Sequence, residues 1–144
     1  MLTFLIGKPA TGKTNYIVNQ IVLNQYDVIF VVYLDLDVLE EYSDMDCFIT
    51  NVLPKTEDFK SNLKYCLVLE DFHFNYIKNY SIDEITDYLL FLKQKPNVDI
   101  FIAVQDVEPT LELADKIKYF SVVYTANGKQ IFCIRKKQKE INII

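Results

Sequence analysis

Lys13 and Thr14 close an eight-residue stretch, Gly7-Lys8-Pro9-Ala10-Thr11-Gly12-Lys13-Thr14, that fits the pattern G-x-x-x-x-G-K-[ST]. The chemistry of that spacing is phosphate binding. The two glycines let the backbone bend so that successive N–H groups face phosphate oxygens, the lysine reaches the β- and γ-phosphates, and the threonine hydroxyl binds Mg²⁺. Residues 7–14 are therefore expected to hold ATP, with Thr14 as one metal ligand. By average composition the pattern arises by chance in roughly one chain in a few hundred. The chain has 3 glycines and spends two of them here.

A second group of candidates follows two apolar runs. Glu70 and Asp71 come directly after Tyr65-Cys66-Leu67-Val68-Leu69, and Gln105 comes directly after Val98 to Val104. A P-loop ATPase needs a carboxylate at the end of a buried strand on the Mg²⁺ side, and a hydrolase needs a group to orient or deprotonate the attacking water. The preferred reading places Glu70 on the metal side and Asp71 at the base position. A shift of one residue makes Asp71 the metal-side carboxylate, leaves Phe72 where a base should stand, and yields a protein that binds ATP without hydrolysing it well. An amide at Gln105 suits a sensor of the γ-phosphate or the attacking water. His73, the single histidine, and the aromatics Phe72, Phe74, Tyr76 and Tyr80 fit packing better than proton transfer or base stacking.

These residues need elements to hold them. Leu2 to Ile6 has the length and β-formers of a buried strand, and from Lys13 to about Gln25 Ile17, Val18, Ile21 and Val22 fall on one helical face. Val28 to Leu34 is a continuous apolar run, as in a strand covered on both faces, and it ends at Asp35. Leu39, Tyr42 and Met45 suggest a weak helix before Thr50, and Thr56 is expected to cap a short helix through Tyr65. Ser81-Ile82-Asp83-Glu84 is a capping box that opens the clearest helix, which ends before Pro96. A short helix is expected after Pro109. Asn127-Gly128 between two β-rich runs signals a hairpin over about 119–135, followed by a basic tail, 135–144. Alternating strands and helices predict a three-layer α/β fold, a P-loop NTPase with a mainly parallel sheet closed by that hairpin. Ligands of such sheets bind beyond the carboxyl ends of the strands, where the P-loop, Asp35, Glu70, Asp71 and Gln105 would meet.

Composition narrows the field. A length of 144 residues suits one domain, and a hydrophobic fraction of 51% argues against disorder. No apolar stretch reaches the length of a membrane span and no signal peptide stands out, so the expectation is a soluble cytoplasmic protein. Cys47, Cys66 and Cys133 lack metal spacing and read as reduced thiols. A net charge of −5 excludes a strong general nucleic-acid binder acting as a monomer, since such affinity comes from clustered lysine and arginine. The basic residues Arg135, Lys136, Lys137 and Lys139 cluster at the end, and Arg135 is the sole arginine.

The P-loop, Asp35, the Glu70-Asp71-Phe72 strand end and the strand from Val98 to Gln105 occur in the order seen in FtsK–HerA-type ATPases, which the chain resembles over about its first 125 residues. That group includes virus and phage genome-packaging ATPases and the zonula occludens toxin-like assembly proteins of filamentous phages. The resemblance implies an ASCE-type sheet, with the Gln105 strand inserted between the P-loop strand and the Glu70 strand. It also implies a ring-forming homo-oligomer with ATP sites at subunit contacts, double-stranded DNA and viral or phage assembly proteins as partners, and host cytoplasm as the setting of a viral protein. The resemblance further implies a trans-acting arginine, which can only be Arg135, unless a lysine takes that part. The chain departs from the group in its inverted carboxylate order, its small size and its lack of a membrane anchor.

The leading expectation is a Mg²⁺-dependent ATPase that drives nucleic-acid translocation in genome packaging or assembly, with Lys13, Glu70, Asp71, Gln105 and Arg135 as its catalytic set. A nucleoside or nucleotide kinase is the first alternative, but such enzymes clamp phosphates with several arginines. An AAA-like loader would need a helical lid for which no length remains. A non-hydrolysing ATP-binding assembly factor follows if Asp71 is the metal ligand.

Overall fold

Leu2–Ile6 forms the first strand, β1, with all five residues buried. The computed structural model describes residues 1–9, 11–33, 40–72, 79–105, 108–117, 120–126 and 129–135. Ala10, Asp35, His73, Phe74, Tyr76, the Asn127-Gly128 turn and the tail from 136 lie outside the described residues. After β1 come helix α1 (Lys13–Asn24) and strands β2 (Val28–Val32), β3 (Phe48–Thr50) and β4 (Tyr65–Leu69). Helix α2 (Ile82–Lys93), β5 (Val98–Val104), helix α3 (Glu108–Ile117), β6 (Phe120–Ala126) and β7 (Lys129–Arg135) follow among the described residues.

The strands form one sheet in the order β3-β2-β4-β5-β1-β6-β7. The first six run parallel, and β7 pairs antiparallel with β6. β5, the strand that precedes Gln105, lies between β1 and β4, the insertion that the resemblance implies. Alternation along β1 divides the core: Leu2, Phe4 and Ile6 face α2 and α3, with Ile85, Leu89, Leu92, Leu113 and Ile117, while Leu5 faces α1, with Ile17, Ile21 and Tyr42. The result is a three-layer α/β fold of the Rossmann-like, P-loop type. Apolar burial on both faces accounts for strands that read as unbroken hydrophobic runs.

Local chemistry explains the helix ends. Ser81 caps α2 by accepting from the Glu84 N–H at 3.1 Å, while Glu84 accepts from the Ser81 N–H at 3.1 Å, as the capping box predicts. α3 begins at Glu108, so Pro109 lies inside its first turn, where a missing N–H costs nothing.

Two expected helices are corrected. Between 40 and 50 there is only a 3₁₀ turn, Glu40–Tyr42, and then β3; the spacing of Tyr42 and Met45 suits one tight turn as well as a helix. From Thr56 the chain makes another 3₁₀ turn, Thr56–Asp58, and stops. Phe59 turns into the core at 2% exposure, and the Tyr65 hydroxyl accepts the Lys60 N–H at 3.1 Å, so the segment up to Tyr65 is tied down in a non-helical path. The residue before this turn is Lys55, whose N–H donates to Asp58 Oδ2 at 3.2 Å, so Thr56 is not the cap.

Candidate functional site

The site lies where β1, β4 and β5 end side by side. The Gly7 N–H donates to the Val104 carbonyl at 3.1 Å, which ties the start of the P-loop to the end of β5. Glu70 and Asp71 leave β4, and Gln105 leaves β5. Gly12 adopts φ 101, a left-handed conformation that glycine enters without the Cβ penalty, and α1 begins at the next residue. The positive end of the α1 dipole and its first N–H groups therefore belong to the same loop.

Lys13 folds back over the loop. Its ammonium donates to the Gly7 carbonyl and, at 3.0 Å, to the Lys8 carbonyl. Partial burial lowers its pKa, with the carboxylates of Glu70 and Asp71 acting in the opposite direction. The Thr14 hydroxyl donates to Glu70 Oε1 at 3.1 Å. Glu70 is 5% exposed, and its pKa is raised, first by desolvation and then by Asp71, against hydrogen bonds from Tyr42 and Thr14 and the charge of Lys13. Asp71 occupies φ 52, a left-handed conformation that Asp tolerates better than most residues, and its Oδ1 accepts from Gln105 Nε2 at 2.9 Å. The Phe72 N–H donates to the Ala103 carbonyl at 2.8 Å, so the turn after β4 is anchored to β5 on either side of that contact.

The tertiary structure thus brings Lys13, Thr14, Glu70, Asp71 and Gln105 together, with Glu70 against the P-loop hydroxyl and Asp71 against the amide. Arg135, expected to act in trans, lies away from them within one chain. Arg135 pairs with Phe120, the residue before Ser121, and Ser121 pairs with Thr3. Arg135 is therefore level with the beginning of β1, whereas the P-loop leaves the other end. Asp35 and His73 fall outside the described residues.

One site residue escaped the sequence reading. Tyr42, 1% exposed on the Glu40–Tyr42 turn, donates its hydroxyl to Glu70 Oε1 at 2.7 Å. Burial and the neighbouring Glu70 charge both push the Tyr42 phenol upward, so it remains a neutral donor. The only signal in the sequence was a tyrosine at helical spacing amid acidic residues, which marks a buried side chain but names no partner.

Among the described residues no group of three or more His, Cys, Asp or Glu side chains could hold a metal ion by itself. The donors at Thr14 and Glu70 fit a divalent ion whose remaining ligands are phosphate oxygens and water, which is how Mg²⁺ binds nucleotides. The loop's N–H groups and the Lys13 ammonium fit the phosphates.

No protein-family model matches the chain, and no curated protein matches it. One solved structure to which the chain is similar is the cytoplasmic domain of EssC, at 11% sequence identity and a TM-score of 0.53, over 94% of this chain and 39% of that one. The chain thus spans well under half the length of that structure, and at this identity the likeness carries the fold alone. Among the described residues no helix is long and apolar enough to cross a membrane.

Proposed function

We propose that the chain binds Mg²⁺-ATP at residues 7–14 and hydrolyses it with Glu70 on the metal side and Asp71 on the side of the attacking water. The observation that carries this reading is the 3.1 Å contact of the Thr14 hydroxyl with Glu70. A P-loop hydroxyl and a buried carboxylate, 56 residues apart in sequence, share one point in space, and a divalent ion liganded by both would lie beside the phosphates. Bound Mg²⁺ would offset negative charge on the phosphate oxygens. The chain's own residues do the rest. Lys13 exchanges its loop carbonyls for phosphate oxygens, and Gly12 and the start of α1 present N–H groups. Gln105 holds Asp71 in place and offers an amide to the γ-phosphate or the water.

The finer reading, a ring that translocates double-stranded DNA in viral or phage genome packaging or assembly, is supported by the resemblance in motif order and by the position of β5 between β1 and β4. A second reading, ATP binding with little turnover, is favoured by the place of Arg135. The backbone of the sole arginine lies at the end of the sheet away from the P-loop, so Arg135 could complete only a second copy's site, and a chain that does not assemble would bind ATP with little turnover. A nucleotide kinase fits less well for the same reason.

Calorimetric titration of ATP with and without Mg²⁺, paired with steady-state hydrolysis over a protein concentration series with and without double-stranded DNA, tests these readings. Mg²⁺-dependent binding that Lys13→Ala weakens by about 100-fold, the scale of a lost charge-assisted phosphate contact, is the expected result. Full binding without Lys13 overturns it. Turnover that rises with concentration and again with DNA supports the translocating ring. Binding with flat, DNA-blind turnover near zero supports the second reading.

A further inference from the structure

Glu70 Oε1 accepts two hydrogen bonds, from the Thr14 hydroxyl at 3.1 Å and from the Tyr42 hydroxyl at 2.7 Å. A carboxylate offers about two lone-pair sites per oxygen, so this atom is filled. The two donors are not equivalent. Thr14 can leave its proton on Oε1 while its own oxygen turns to a cation, because a hydroxyl both donates and accepts. Tyr42 stands on the other side of the carboxylate, on the Glu40–Tyr42 turn, and its bond is the one that closes Oε1.

The phenol is held where it is. Its ring is 1% exposed and packs with Leu5, Ile17, Ile21 and Val68. The turn that carries it is closed by the Ser43 N–H on the Glu40 carbonyl at 3.0 Å, and the Tyr42 carbonyl accepts from the Met45 N–H at 3.1 Å. Glu70 itself is 5% exposed, so both partners are out of reach of bulk water. Taking the carboxylate away would strand a buried hydroxyl and cost its desolvation, so the bond resists exchange for a cation contact.

Divalent ions differ in what they ask of a carboxylate. Ca²⁺ takes about six to eight oxygen ligands in flexible geometry and often claims both oxygens of one carboxylate. Mg²⁺ demands a near-ideal octahedron and keeps several of its waters, so a carboxylate that serves it through one oxygen or a water is enough.

We propose that Tyr42 is a positioning residue that sets the choice of ion at the nucleotide site. By filling Glu70 Oε1 it bars a grip through both oxygens, and the site favours ATP with Mg²⁺ over ATP with Ca²⁺. Chelation of Ca²⁺ by both oxygens would break the 2.7 Å bond, whereas service to Mg²⁺ through one oxygen or a water leaves it whole. The inference rests on the metal-side role of Glu70 proposed above, and adds which ion that role admits and which residue decides it.

Calorimetric titration of an ATP analogue that resists hydrolysis tests this without reading turnover. The native chain and Tyr42→Phe are each titrated with excess Mg²⁺, with excess Ca²⁺ and with a chelator. The native chain should bind the Mg²⁺ complex at least about tenfold more tightly than the Ca²⁺ complex. Tyr42→Phe, which keeps the ring, should narrow that ratio to within about threefold by tightening the Ca²⁺ complex, with metal-free binding unchanged. A tyrosine that only packs would shift every affinity together and keep the ratio, and that result overturns the proposal. So does a native chain that takes both complexes equally, or a ratio that narrows solely because the Mg²⁺ complex weakens. The two ideas fail in different ways. A native chain that binds the analogue no better with Mg²⁺ than with chelator removes the metal-side role of Glu70, and this inference with it. Mg²⁺-dependent binding whose ratio Tyr42→Phe leaves unaltered removes this inference alone.

Discussion

Tyr42 donates its hydroxyl to the same Glu70 oxygen, Oε1, that accepts from Thr14, at 2.7 Å against 3.1 Å. Both Tyr42 and Glu70 are buried, and the tyrosine belongs to the turn that leads into the edge strand β3. Its hydrogen bond favours the ionised form of a carboxylate whose burial disfavours it.

Tyr42→Phe keeps the ring and removes only that donor. Glu70, already raised by burial, should then titrate at still higher pH, and the acid limb of Mg²⁺-dependent turnover should move up with it. Stability should fall by about 1 kcal/mol, the usual size of one lost hydrogen bond. A pH profile that overlays the unaltered protein would show that Tyr42 only packs.

Glu70→Gln should separate stability from function. The folded-state pKa of Glu70 lies above its ordinary value of 4.5, so the folded protein holds this proton more tightly than the unfolded chain. Its contribution is then fully present below about pH 4.5 and is lost as pH rises through the raised folded value. Thermal melts should show the glutamine variant gaining on the native chain as the medium goes from mildly acidic to neutral, while its Mg²⁺-dependent ATP binding weakens. A variant less stable than the native chain throughout neutral pH would contradict the burial argument.

Asp71→Asn should bind ATP and fail to hydrolyse it. Asn tolerates the left-handed backbone at φ 52 as well as Asp does, so folding should be spared. Loss of a general base costs about 10²- to 10⁴-fold in kcat. Single-turnover hydrolysis measured beside ATP affinity checks this, and unaltered turnover would move the base elsewhere. Gln105→Ala, which frees Asp71 Oδ1 from its 2.9 Å partner, should lower kcat by about tenfold with a smaller effect on affinity.

Gly12→Ala isolates a backbone effect. No heavy atom lies within 4 Å of the added Cβ, so the cost is the left-handed φ of 101 alone, about 1–2 kcal/mol. Calorimetry should show that loss in stability, or an equal loss in ATP affinity if the loop shifts to relieve it. An alanine variant that matches the native chain in both would mean that the loop needs no glycine there.

Much of the site was legible because its signals are local. Strand, glycine turn and helix follow one another within 24 residues around Gly12, and the Ser81–Glu84 box is complete within four. Glu70, Asp71 and Gln105 stood out because each ends an apolar run. Tyr42 did not, since its partner is 28 residues away and its own segment is a 3₁₀ turn with no lasting period. β3 was missed because three residues carry too little alternation to announce a strand.

The sequence by itself determined which side chains are candidates to meet phosphate and metal, and that strands and helices alternate, because spacing and hydrophobic period are properties of neighbours along the chain. Only the tertiary structure decided that Glu70 faces Thr14 while Asp71 faces Gln105, that β5 lies between β1 and β4, and that Arg135 ends far from the P-loop. Those relations depend on strand order and register, which follow from how two faces of one sheet are buried at once, a sum over distant contacts that no short stretch of sequence contains.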